Sequence, residues 1–363
     1  MIKIEVVGLI IIGILLFELI IFFHEFGHFI TAKWSGVKVN EFALGMGPKI
    51  FKFTKGETTY SLRLFPIGGF CAMEGEDEDS NDSRAFNNIA VWKRMIIVVA
   101  GAFMNIVLGL LMMLILVVQQ PAFTSTVIDT FPEQSVTQQS LQAGDKFLSI
   151  DGYNIYNSKD IPFAMTIMKS FTPDVVVERD GEVVDLGKVQ FYTYKNDSGV
   201  ESVAIDFYVE KIPKTFLSVI TETFSQTVSV VRMIWSSLVG LVTGQFGMDA
   251  LSGPVGIATA ISGVASQGLS QSFLTAFNNV FYVMMIITVN LGIVNMMPIP
   301  ALDGGRFVFL LIELIIRKPI PQKYEGKIHA IGYALLMVIM VLLTFNDIWR
   351  LVTGSSFSIW EDV

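Results

Sequence analysis

The chain is poor in the letters on which most soluble enzymes are built: of 363 residues 16% are charged, three are histidine and one is cysteine. Soluble domains carry about 25% charged residues, so an ordinary soluble fold is excluded. The lone Cys71 has no partner for an intrachain bridge, so stability must come from packing and a bilayer, and redox chemistry is not expected. A net charge of -8 leaves no basic surface of the kind that phosphate neutralisation needs, which sets nucleic acid aside as a partner. There is no internal repeat or low-complexity tract, although EGEDEDSND at 74–82 reads as an acidic cytoplasmic loop.

What the chain has in abundance is apolar: 52% of its residues are hydrophobic. Four stretches, 6–30, 93–118, 275–297 and 329–345, suit the roughly 20 helical residues that cross about 30 Å of hydrocarbon. The first run follows a single lysine, as a signal peptide would. No small-x-small cleavage site comes after it, and it continues unbroken into a cluster of ionisable letters, so it reads as a retained helix. Nine lysines and arginines lie between 33 and 94 and five more between 306 and 327, against Lys3 and Arg350 at the ends. The positive-inside rule then makes both basic loops cytoplasmic, with both termini and 121–274 outside.

A fifth run, Phe216 to Val242, is laced with Ser, Thr, Gln and Arg232 and reads as an amphipathic helix at the membrane interface. A crossing there would also carry Asp303 to the opposite face from His24 and His28. The outward segment 121–211 breaks into short alternating runs, and Asp180-Gly181 between two Val/Glu-rich runs signals a hairpin. It predicts a small β-rich domain with one or two helices.

The chemistry concentrates in HEFGH at 24–28. Four residues apart on a helix, His24 and His28 present two imidazoles to one point, with Glu25 about 100° around. Zinc held there would acidify water, and Glu25 would take its proton during attack on a carbonyl carbon. His-Glu-x-x-His also arises by chance, but ionisable residues within a membrane helix cost about 2.5–3.5 kcal/mol each and so usually carry a function. Catalytic zinc wants three protein ligands and one open position. With histidine so scarce, and His329 at the start of the last helix suited to hydrogen bonding between helices, a carboxylate at the same depth is expected. Asp303 meets that condition, just past NMMPIP, where Pro298 and Pro300 break a helix inside the membrane. Irregular backbone there is tolerated only beside a protein or water cavity, which would admit water from the cytoplasm.

HEFGH together with NMMPIPALDGG at 295–305 resembles the site-2 protease family of intramembrane zinc metalloproteases, with every fixed position of both motifs matched. GMGPKIF at 45–51 and RLFPIGGF at 63–70 resemble that family's membrane-associated β-hairpin, SGPVGIATA at 252–260 resembles its motif ahead of the third membrane helix, and LQAGDKFLSIDG at 141–152 is similar to a PDZ signature with altered spacing. The resemblance implies a multi-pass α-helical membrane protein with four transmembrane helices, a membrane-associated β-hairpin and one inserted extracytoplasmic PDZ domain, in a bacterial plasma membrane. Its divisions are an N-terminal membrane half 1–120, a PDZ domain 121–211, an amphipathic interfacial segment 212–274 and a C-terminal membrane half 275–363. It implies one zinc per chain on His24, His28 and Asp303, Glu25 as general base, and Asn295 on the substrate backbone or developing oxyanion. Asn105, Pro298, Pro300, Gly68 and Gly69 would contact substrate, although AGAFMN at 100–105 has Ala102 where many members have proline.

The activity implied is cleavage of transmembrane segments of single-pass proteins, anti-sigma factors or remnant signal peptides, in regulated intramembrane proteolysis. A membrane-anchored PDZ scaffold without catalysis is the alternative. A substrate helix must be unwound, and the stretch 42–70 would offer an unpaired strand edge, with residues 60–65 as the place where prolines should interfere. The PDZ domain would either capture the new carboxyl end of a protein already clipped by another protease or exclude bulky outer domains.

Overall fold

A computed structural model describes residues 2–76, 78, 80–195, 201–247 and 251–353. Asp77 and Asp79 of the acidic run, 196–200, 248–250 and the chain end 354–363 lie outside the described residues. The chain divides into two compact units: residues up to Met112 together with those from Val239 onward, and Met113–Leu238.

The first unit is mainly helical. Helix α1 (Ile2–Ser35) leads into strands β1 (Val39–Lys55) and β2 (Thr58–Met73), followed by α2 (Val91–Gln119), which runs on into the second unit. Small residues let these helices approach closely, as apolar helices in lipid require. A Cβ on Gly27 of α1 would stand 2.4 Å from the Ala100 carbonyl oxygen of α2, and one on Gly101 would stand 2.3 Å from His28 Nε2. Phe42, Cys71, Phe86, Ile97 and Leu310 pack into one apolar cluster of this unit.

Strands β1 and β2 form more than a simple hairpin. Residues 49–55 pair with 58–63, while 41–44 pair on one side with 59–62 and on the other with 69–72. Gly45, Gly47 and Gly68 adopt φ of 77°, 87° and 91° where the strands fold back, a region that costs residues with a Cβ about 1–2 kcal/mol. The result is four strand segments in the order 49–55, 58–63, 39–44, 69–73, with outer edges at 49–55 and 69–73. Met46, Ile50, Phe51, Phe53, Leu62, Leu64 and Phe65 are exposed.

The second unit carries β3 (Phe123–Thr130), β4 (Lys146–Ile150), β5 (Tyr153–Asn154), α3 (Asp160–Ile167), β6 (Asp174–Arg179), β7 (Glu182–Lys188), β8 (Tyr192–Lys195), β9 (Glu201–Ala204), β10 (Tyr208–Ile212) and most of α4 (Phe216–Val242). Its main sheet runs β10-β3-β4-β6-β7, with β5 beside β4, and β8-β9 forms a separate pair. Asp180 and Gly181, at φ 51° and 82°, make the expected two-residue turn between Arg179 and Glu182. Ile128, Leu141, Phe147, Ile150, Val175, Val177 and Phe191 fill the core. Within this unit α4 turns a polar face inward: Thr223, Gln226, Thr227 and Ser229 are buried, Asn157 donates to Ser229 Oγ at 2.6 Å, and Arg232 meets Asp160 at 3.2 Å.

The first unit resumes with α5 (Pro254–Leu269), α6 (Phe273–Asn295), α7 (Asp303–Ile316) and α8 (Gln322–Thr353). The helix ending at Asn295 does break at the two prolines, and a new helix starts at Asp303, a 14-residue element absent from the sequence expectation. By length and composition, five helices among the described residues are able to cross a membrane: the four expected and Phe216–Val242. The chain is therefore a multi-pass membrane protein with an added sheet region.

Candidate active site

Two turns of α1 and the first residue of α7 converge. His24 Nε2 lies 3.3 Å from His28 Nε2, and Asp303 Oδ2 lies 3.3 Å from the first and 3.4 Å from the second. Ligands about 2.0–2.1 Å from zinc at tetrahedral angles stand about 3.3–3.4 Å from one another, so the cluster has the dimensions of a tetrahedral zinc site with one corner open. Both imidazoles are buried. Asp303 Oδ2 is buried with no hydrogen-bond partner among the described residues, a costly condition for a carboxylate oxygen unless a cation takes that place. The donor set of two imidazoles and one carboxylate suits zinc.

The imidazoles are aimed from behind. His28 Nδ1 donates to the Ile97 carbonyl at 2.8 Å, which leaves Nε2 as the lone-pair nitrogen for a metal. His24 Nδ1 lies 3.3 Å from the amide of Asn105, whose Oδ1 is otherwise buried and unpartnered. With the Asn105 amide turned so that its oxygen faces His24, Nδ1–H donates to it and His24 takes the same tautomer as His28. Asn105 is fully buried and reaches the histidine, so its place is behind the ligand and outside the cavity. Gly101 supplies the room for both rings, since a Cβ there would come within 2.3 Å of His28 and 2.8 Å of His24.

Glu25 is half-buried and lines a cavity of about 410 Å³ together with His24, His28, Asp303, Arg306 and the 70–73 strand. Gly69 brings that strand against α1, where a Cβ would stand 3.4 Å from Glu25 Cγ. Asn295 ends α6 with its amide nitrogen 3.4 Å from His24 Nε2. Of the other expected contacts, Pro298 is exposed, Pro300 packs toward Gly332, and Gly68 sits in a turn; none of these lines the cavity. Among the described residues, the strand edge beside the site is 69–73. Residues 60–62, part of the stretch where prolines were expected to interfere, pair on both sides and are interior. Cys71 also lines the cavity; burial, with the nearby Glu25 and Glu76 carboxylates, pushes its thiol pKa far up, so it stays protonated and is a poor nucleophile.

Behind Asp303, α7 is fixed by a two-pronged pair between Arg94 of α2 and Glu313, at 3.1 and 2.5 Å. Gly101, the Ile97 carbonyl and the Arg94–Glu313 pair escaped the sequence reading. A glycine in the middle of an apolar helix was the one available signal.

Comparison with known proteins accords with this geometry. The family model described as peptidase family M50 matches residues 12–339. A Clostridium perfringens protein, CPE1693, is 37% identical over 340 residues, covering 93% of this chain and 98% of its own. The regulator of sigma-W protease RasP of Bacillus subtilis is 31% identical over 428 residues, covering 95% and 99%, and the zinc metalloprotease RasP of Geobacillus kaustophilus is 29% identical over 431 residues, covering 96% and 99%.

Proposed function

The chain belongs to peptidase family M50, zinc metalloproteases of the site-2 type, and from that premise we propose that it cuts transmembrane segments of single-pass membrane proteins within the bilayer. The observation that carries this reading is the cluster of His24, His28 and Asp303 at mutual distances of 3.3–3.4 Å, beside Glu25 and a strand edge. Zinc held by these three residues would supply a Lewis acid able to polarise a carbonyl and acidify water. Glu25, on the cavity wall, takes the proton from attacking water and returns it to the leaving amine. Asn295, beside His24, donates its amide N–H to the oxyanion that develops on the cleaved carbonyl.

Substrate must be extended to expose its scissile carbonyl. The edge 69–73 has no strand registered to its outer side among the described residues and would pair with a substrate strand laid over the cavity. Gly69 allows that edge to pass close to Glu25, and Gly68 turns it there; Pro298 and Pro300 act by breaking the chain ahead of Asp303.

Four spans, α1, α2, α6 and α8, put both termini and the sheet domain outside and the site toward the cytoplasm. The polar face that α4 turns onto the sheet domain supports an interfacial place for it, since a crossing would carry the same side chains through hydrocarbon. The sheet domain reads as a PDZ domain that would either take the carboxyl end of a peptide clipped by another protease or exclude bulky outer domains; a groove of about 590 Å³ between α3 and residues 202–205 supports the first. The chain's substrates would be anti-sigma factors or remnant signal peptides; the relative named as a regulator of sigma-W supports a part in sigma-factor regulation.

The test is cleavage of a panel of single-span proteins by the purified chain in detergent, with each cut mapped by mass spectrometry. Cuts are expected within the membrane segments, and Ala72→Pro should abolish them while zinc stays bound. Cuts confined to soluble loops, or unchanged cleavage by Ala72→Pro, would contradict this reading.

A further inference from the structure

The aim of Asp303 depends on the backbone that delivers it. Residues 296–302 form no regular element, and Ala301, two before the carboxylate, has φ 77°, a region that a residue with a Cβ seldom adopts. Such a conformation persists only where its surroundings over-determine it. Part of the constraint is packing: a Cβ on Gly304 would stand 2.1 Å from the Met297 carbonyl oxygen, one on Gly305 2.5 Å from that of Ile299, and one on Gly332 of α8 2.5 Å from Pro300 Cβ. The loop is thus gripped between the start of α7 and the flank of α8.

The other part is a directed hydrogen bond. One helical turn before Gly332, His329 accepts the Ala301 N–H on its Nδ1 at 2.9 Å. Accepting that N–H requires a bare Nδ1, so the ring proton sits on Nε2, the nitrogen that faces the Glu325 carboxylate at 3.8 Å. The same ring lines the cavity that contains His24, His28 and Asp303.

We propose that His329 is a positioning residue for the metal centre: by accepting the Ala301 N–H it locks the left-handed turn and aims the Asp303 carboxylate at His24 and His28. It acts through the loop, its Nδ1 turned to Ala301 and not to the ligand cluster, and the proposal rests on the reading of Asp303 as the third zinc ligand. The chemistry required is one acceptor at the Nδ1 position. An asparagine places its Oδ1 where Nδ1 stands, whereas a glutamine carries its oxygen farther, near the Nε2 position.

The test uses the full-length protein in detergent, loaded with zinc, and follows loss of the metal to a chelator for the wild type, His329→Asn, His329→Gln, His329→Ala and Asp303→Ala. Loss of support behind a metal ligand weakens binding by about 10–100-fold, so His329→Ala and His329→Gln should release zinc that much faster while His329→Asn stays within about threefold of wild type. Thermal unfolding of the metal-free forms should not separate the three variants. Should His329→Ala fail to fold, the Asn and Gln pair decides. Equal release from all three and the wild type, or His329→Asn behaving like His329→Gln, would overturn the proposal while leaving Asp303 a ligand. If Asp303→Ala holds zinc as tightly as wild type, the ligand reading falls and this proposal falls with it.

Discussion

Asp206 of the sheet domain and Asp303 of the membrane unit are both drawn out of water, and they are finished in opposite ways. Asp206 accepts from the Val136 and Thr137 backbone N–H groups at 2.7 and 3.1 Å, from Ser135 Oγ at 3.0 Å, and from the Thr137 hydroxyl. Its neighbour in role, Asp145, is buried under Arg179 at 2.6 Å. Asp303, by contrast, presents a buried Oδ2 without a hydrogen-bond partner to two imidazoles. Saturated carboxylates staple loops onto a sheet; an unsaturated one, beside two nitrogens at tetrahedral spacing, suits the cation proposed for it.

Making the same change at both positions sharpens the contrast most. Asp303→Asn should reduce cleavage by two orders of magnitude or more and weaken zinc retention about 10–100-fold, with the metal-free fold intact. Asp206→Asn should leave zinc untouched and destabilise the sheet domain by about 1–3 kcal/mol, read by hydrogen exchange of β3 and β10 in the full chain. If both changes act on zinc alike, the contrast is broken.

Glycines test it next. Gly101→Ala places a methyl group where His28 Nε2 already lies 2.3 Å away, so zinc should be lost about 10–100-fold faster. Gly181→Ala meets nothing within 4 Å and has φ 82°; it should cost about 1–2 kcal/mol of local stability and leave zinc retention unchanged. Limited proteolysis beside the chelator assay separates the two.

The smallest effect is one of pH. Desolvation by burial pushes the Asp206 carboxyl up, but the Thr137, Ser135 and Val136 donors outweigh it and hold the pKa below the ordinary value. A depressed folded pKa means that its stabilisation is complete above about pH 4 and is lost as the pH falls through the unfolded value toward the folded one. Asp206→Asn should therefore flatten the acid limb of sheet-domain stability, measured by hydrogen exchange between pH 5 and 3.

Periodicity and motif spacing made the local parts of this molecule legible. His24 and His28 share a face because they are four apart on a helix, Asp180-Gly181 makes a two-residue turn because both tolerate positive φ, and the prolines at 298 and 300 end α6. Long-range parts were not legible. Four strand segments arise from two long strands because Gly45, Gly47 and Gly68 reverse them, and register is decided by tertiary contacts, so within the stretch expected to offer an edge residues 60–62 are interior and 69–73 is the outer segment beside the site. Asn105 and His329 look like scattered polar residues in apolar helices until packing brings one to His24 and the other to Ala301. Helix α4 carries a composition that fits both a span and an interfacial helix, since half of its length is apolar and half polar.

The most direct measurement is zinc content and cleavage for the wild type and Glu25→Gln, purified in detergent and given the same single-span substrates. One zinc per chain is expected in both proteins, with cleavage reduced by about 10²–10⁴-fold or more in Glu25→Gln alone. No zinc in the wild type, or equal cleavage by the two proteins, would contradict that expectation.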